Sequence, residues 1–127
     1  MVIIDVKEIT FNRADTGELL ASEVVLENME GKPTIMAKPL TRGKLQEIYS
    51  KATSSNAEER LSADNDIIKF GLDNPKLDDQ QVSDLKPTYA AAISTAILSI
   101  SLGIPQDDVG KEAQKIINKE EAALKKK

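Results

Sequence analysis

The run from Pro87 to Gly103 carries no charged residue and sets the pattern for the rest of the chain. Tyr89, Ile93, Ile97 and Ile100 recur at helical spacing, with Leu98 and Leu102 beside them. The remaining positions are Ala, Ser and Thr, so no face is strongly polar, and a helix of that kind is expected to be buried on most sides. Pro87 suits a first helical position, where its missing N–H costs nothing. Gly103 suits the left-handed residue that closes a helix. The hydroxyls can bond back to carbonyls one turn earlier, which lets them be buried without unpaired donors. The run is too short, and too rich in hydroxyls, for a membrane span of about 20 apolar residues.

Before this run the pattern changes twice. Val2, Ile4 and Val6 alternate with Ile3, Asp5 and Lys7, which predicts a strand over 2–11, with a slip near Glu8. Asn12 to Gly17 is turn chemistry. A second extended run is expected over Glu18 to Asn28, and Glu30-Gly31 signals a turn. A third strand is expected over Thr34 to Lys38, with Ile35 and Ala37 on one face. Pro33 and Pro39 bound it, which suggests an edge position. From Thr41 the period becomes helical. Leu45, Ile48, Tyr49 and Ala52 make one stripe, and Leu61, Ile67, Ile68 and Phe70 a second. That second helix is capped by Asn56, with Glu59 suited to a capping box, and stopped by Gly71. Asp73-Asn74-Pro75 reads as a turn. Asp78 caps a short helix with Val82 and Leu85 inward. After Gly103-Ile104-Pro105 a last helix is expected, with Asp107 and Asp108 in its first turn. Its stripe is Val109, Ala113, Ile116, Ile117 and Leu124.

The expectation is therefore an α+β fold in a single domain over 1–127. A small antiparallel sheet of three strands occupies 1–39, a helical core 40–104, and a C-terminal amphipathic helix 105–127. About five helices surround a buried central one. At 127 residues the chain is long enough for a real core.

Composition narrows the chemistry. The chain has no Cys and no His, which removes disulfides, thiol nucleophiles, imidazole bases and nearly all zinc or haem ligation. Its net charge of −4 and its two Phe, two Tyr and no Trp argue against a nucleic-acid binder. Asp5, Lys7 and Glu8 arrive before any signal-peptide core could form, so a cytoplasmic protein is expected. Asp64-Asn65-Asp66 starts like a calcium loop, but Lys69 and Pro75 stand where Gly and Glu are required. Gly43-Lys44 lacks both the earlier Gly and the following Ser or Thr of a phosphate loop. Asp78, Asp79 and Asp84 fit a cap and a solvated helix face better than an acid–base pair. No catalytic residue, cofactor or metal ligand is assigned, and the chain is not expected to be an enzyme.

The stretch Lys38-Pro39-Leu40-Thr41 leads into the helix that ends near Tyr49. Later come Ile67-Ile68-Lys69-Phe70-Gly71-Leu72-Asp73-Asn74-Pro75-Lys76-Leu77, a turn over Val82 to Leu85, and an apolar helix closing in Leu102-Gly103. Over roughly residues 34–104 this order of steps resembles the tail assembly chaperones of long-tailed bacteriophages. The resemblance implies a small, acidic, non-enzymatic protein in the host cytoplasm. Such a protein binds the tape measure protein, keeps its apolar helices soluble and assists polymerisation of the tail tube protein around it. It implies a protein-binding groove, for which the candidates are Val109, Ile116, Ile117 and Leu124, and exposed edges of Ile93, Ile97 and Ile100. The same residues could instead close the domain's own core or pair copies of the chain in a homo-oligomer. Members of that family often make a longer product by frameshifting, which the Lys125 to Lys127 run would suit, as would a simple dipole-compensating helix end. Two other functions are compatible with the sequence: a tail or connector component retained in the virion, and a cytoplasmic interaction adaptor.

Overall fold

In the computed structural model, which describes residues 2–109, the chain forms a three-stranded antiparallel sheet with helices packed on it. The elements are α1 (Val6–Ile9), β1 (Ser22–Val25), β2 (Thr34–Ala37), α2 (Arg42–Ala52), α3 (Ala57–Gly71), β3 (Leu72–Asn74), α4 (Asp79–Ser83) and α5 (Pro87–Leu102). A 3₁₀ turn follows over Gln106–Asp108. The α+β expectation holds. The last expected helix lies, beyond its first turn, outside the described residues.

The punctuation of the helices follows their sequences. Thr41 caps α2 by accepting from the Lys44 N–H. Asp78 and Gln81 complete a capping box on α4. Asn56 caps α3 through the Glu58 N–H at 2.8 Å, one residue before the Glu59 expected to reciprocate. Pro87 stands at the start of α5, and Gly103 closes it at φ 70°, where a side chain would be strained.

The sheet differs from expectation in its third strand. Its order is β1-β2-β3, so β2 is central and not an edge. Pro33 and Pro39 stand just outside β2, and the Pro33 carbonyl still accepts from the Leu26 N–H at 2.8 Å. Ile35 and Ala37 are both buried, as their shared face requires. The place beside β2 is taken by Leu72–Asn74, read from sequence as the start of a turn, with Leu72 opposite Ala37. Residues 2–11 are not a strand of this sheet. Asp5 accepts from the Lys7 N–H and starts the single turn of α1, and every described residue from 2 to 13 is exposed.

Two contacts lock the helices to the sheet. A Cβ on Gly71 would overlap the Ile97 side chain, so the bare α-carbon is what lets α3 meet α5 there. Ile97 is fully buried, with Ile93 and Ala96 beside it. The Gly71 carbonyl also accepts from the Lys38 N–H at 2.7 Å, which starts the β2–β3 pairing. The second contact is the Ser101 hydroxyl. It donates to the Ile97 carbonyl one turn back and accepts from the Leu40 N–H, both at 2.7 Å. Leu40 is 2% exposed, so its N–H has little other access to water.

The second helical stripe is also revised. Ala63, Ile67, Ile68 and Gly71 form the buried face of α3. Leu61 is on another side and 73% exposed, because six residues at 100° each carry it well away from Ile67. Phe70 is half-exposed beneath the Lys44 ammonium, 4.0 Å from the ring centroid, a cation–π arrangement.

Two substitutions check these locks by thermal or denaturant unfolding. Gly71→Ala is expected to cost about 1–3 kcal/mol through overpacking, and less in an Ile97→Ala background, where the Cγ and Cδ atoms that obstruct the new methyl are gone. Ser101→Ala is expected to cost about 1–3 kcal/mol by orphaning the Leu40 N–H.

Candidate protein-binding surface

Of the residues expected to form a partner groove, the structure places Ile93, Ile97 and Val109 in the interior, at 6%, 0% and 4% exposure. Ile93 and Ile97 lie on the side of α5 that meets α3, so their methyls are spent on the core. They offer a partner no surface. Ile100 is half-buried and lines a groove. Ile116, Ile117 and Leu124 lie outside the described residues.

That groove has a volume of about 330 Å³ and is lined by Phe11, Asn12, Leu20, Ala21, Ser22, Pro39 and Ile100. It is built where three parts of the fold converge. The first is a small hairpin in which Ala14 N–H donates to the Glu18 carbonyl and Arg13 bridges Leu19. The second is the start of β1, and the third is the C-terminal half of α5. The far end of β1 is pinned by Gln106, whose Nε2 donates to the outward Val25 carbonyl at 2.7 Å.

The larger apolar surface was missed by sequence reasoning as a site. Val2, Ile3, Ile4, Val6 and Ile9 are 60–95% exposed, and Phe11 is 38% exposed. Their apolar alternation was visible, but it was read as the signature of a half-buried strand. Nothing local tells a strand that joins a sheet from an arm that does not.

Several charged groups form surface pairs. Lys38 lies 3.5 Å from Asp73 and 3.7 Å from Glu18, and Lys69 lies 3.1 Å from Asp79. Lys51 donates to Asp66 at 2.6 Å, joining α2 to α3. That hydrogen bond, then the Asp66 charge, raises the Lys51 pKa above its ordinary value. Burial opposes the shift, and Glu47 and Glu59 add to it. Among the described residues no charged or polar side chain is buried, and no three acidic side chains group as a metal site. Among them, too, no helix is long and apolar enough to cross a membrane.

Comparison of the chain with protein-family models, with curated proteins and with solved structures finds no match.

The Lys51 pair gives a pH prediction with a definite sign. A lysine whose folded pKa is raised contributes stability below its unfolded value, about 10.4, and that contribution is lost as pH rises through the folded value. The melting-temperature difference between the wild type and Lys51→Met should therefore be constant from neutral pH to about pH 9 and shrink above about pH 10. Thermal melts across that range check it.

Proposed function

We propose that this protein is a non-enzymatic tail assembly chaperone of a long-tailed phage, which binds apolar helices of the tape measure protein and assists assembly of the tail tube. The assignment to tails rests on the resemblance of residues 34–104. The observation that supports a binding role is the uncovered apolar surface. Eleven large apolar side chains are more than a third exposed among the described residues. Isolated exposed apolar residues are ordinary, but six within ten positions are not. The net charge of −4 keeps such a chain dispersed while its apolar groups stay available.

In this reading the client's helices meet Ile116, Ile117 and Leu124, the candidates read from sequence, which lie outside the described residues. A virion component is the rival reading, and one feature favours it: β1 and β3 are both outer strands of the sheet, open in principle to pairing with another chain.

Co-expression with the tape measure protein of the same genome tests the proposal. The two should co-purify, and Ile116→Asp with Ile117→Asp should weaken the complex by about tenfold or more, which is 1.4 kcal/mol or more. A clean pull-down without the tape measure protein, both being well expressed, refutes it. Mass spectrometry of mature particles separates the rival, since a chaperone should be absent from them and a tail component present.

A further inference from the structure

We propose that the 3₁₀ turn over Gln106–Asp108 is an edge guard: the Gln106 side-chain amide occupies a backbone acceptor of β1 and so keeps the sheet from being extended by β1 of a second copy.

The direction of the β1 backbone comes first. The Leu26 N–H donates to the Pro33 carbonyl at 2.8 Å. Upstream, β1 continues along β2 in antiparallel register, with Val24 opposite Ile35 and Ser22 opposite Ala37. In such a ladder alternate residues turn both their N–H and their C=O to the same side. Ser22, Val24 and Leu26 therefore face β2, while Glu23 and Val25 face away from it. No strand lies on that side among the described residues. Of the four residues of β1, two are thus turned toward any further strand. Gln106 Nε2 donates to the Val25 carbonyl at 2.7 Å, so Val25 cannot exchange hydrogen bonds with an incoming chain until the glutamine lets go. Glu23 alone then remains, and one residue pair is shorter than any strand of ordinary length.

The guard is held from both ends. Before it, the Gly103 and Ile104 N–H groups donate to the Ser99 carbonyl at 2.9 and 3.2 Å, and the Ser99 hydroxyl donates to the Ile104 carbonyl. After it, the Asp108 N–H closes the turn on the Pro105 carbonyl at 3.0 Å, and Val109 is buried. Gln106 therefore reaches β1 from a fixed backbone, and only its side chain has to be ordered to make the bond.

Without the guard, the two outer strands would be protected unequally. β3 is three residues long and is followed by Pro75, which has no N–H to offer. β1 is Ser-Glu-Val-Val, with no Pro and with two β-branched residues that suit pairing. Sheets blunt such an edge with charges or by covering it with a loop. Here the exposed Glu23 supplies the charge and the Gln106 turn supplies the cover.

This inference does not depend on the client proposed above. In a solution of the pure chain the strand offered to β1 is that of another copy, so self-association reads the state of the edge. Gln106→Ala and Gln106→Glu both remove the donor from a side chain that is not buried, and the circular dichroism of each should match the wild type. Each should self-associate about tenfold or more tightly than the wild type, read by sedimentation equilibrium as a rise in mass with concentration. Gln106→Lys keeps a donor of sufficient length and should behave as the wild type. Val25→Lys added to Gln106→Ala should abolish the gain, because a lysine on an edge strand opposes pairing. A peptide of residues 20–27 should bind the Gln106→Ala chain and not the wild type. Folded Gln106→Ala and Gln106→Glu chains that associate no more than the wild type would overturn the proposal. So would a gain that Gln106→Lys shares or that Val25→Lys leaves intact, or a wild type that binds the peptide.

Discussion

Gly71 is the point on which the structure turns. Its missing side chain lets α3 close on Ile97 of α5, and its carbonyl receives the Lys38 N–H. A single residue thereby fixes the approach of two helices and the start of the third strand. Leu72 follows at once and is buried opposite Ala37, so the chain passes from helix to sheet without a loop. Ser101 adds the reciprocal tie from the other side, holding the Leu40 backbone on α5 where the chain leaves β2 for α2. Tight backbone approach and a satisfied buried donor do here what a larger aromatic core does elsewhere.

Around that centre the sheet is minimal. Strands of four, four and three residues cannot stand alone and depend on the helices laid against one face. The sheet's brevity also leaves material over. The apolar N-terminal arm finds no place beside β2, because that place is already filled. The same packing that buries Ile93, Ile97 and Val109 leaves Val2, Ile3 and Ile4 in water. Among the described residues the exposed apolar side chains concentrate in one segment.

Much of the helical part was legible because it is written locally. Thr41, Asp78, Pro87 and Gly103 act within one turn of their own positions, so their roles follow from residue type and spacing. The α5 stripe was legible for the same reason at Ile93 and Ile97, as was the common face of Ile35 and Ala37, but Tyr89, expected on that stripe, is 40% exposed. Leu61 and Phe70 were misplaced on α3, because an apolar residue near a stripe was counted as part of it. The candidate surface was only half legible. The apolar residues of the arm could be counted, and their alternation seen, but alternation is shared by any extended apolar segment.

Sequence alone determined where α2, α3, α4 and α5 begin and end, that the fold is α+β, and which residue types are missing from the chemistry. Those properties depend on neighbours three or four positions away. Only the tertiary structure decided which segment became the third strand, which of Ile93, Ile97, Ile100 and Val109 kept any surface, and that the first apolar run lies outside the core. Those outcomes are competitions between distant segments for the same few places beside β2 and α5. Leu72–Asn74 won the first because Gly71 delivers it there directly, and residues 2–11, joined to the sheet only through a separate hairpin, were left exposed.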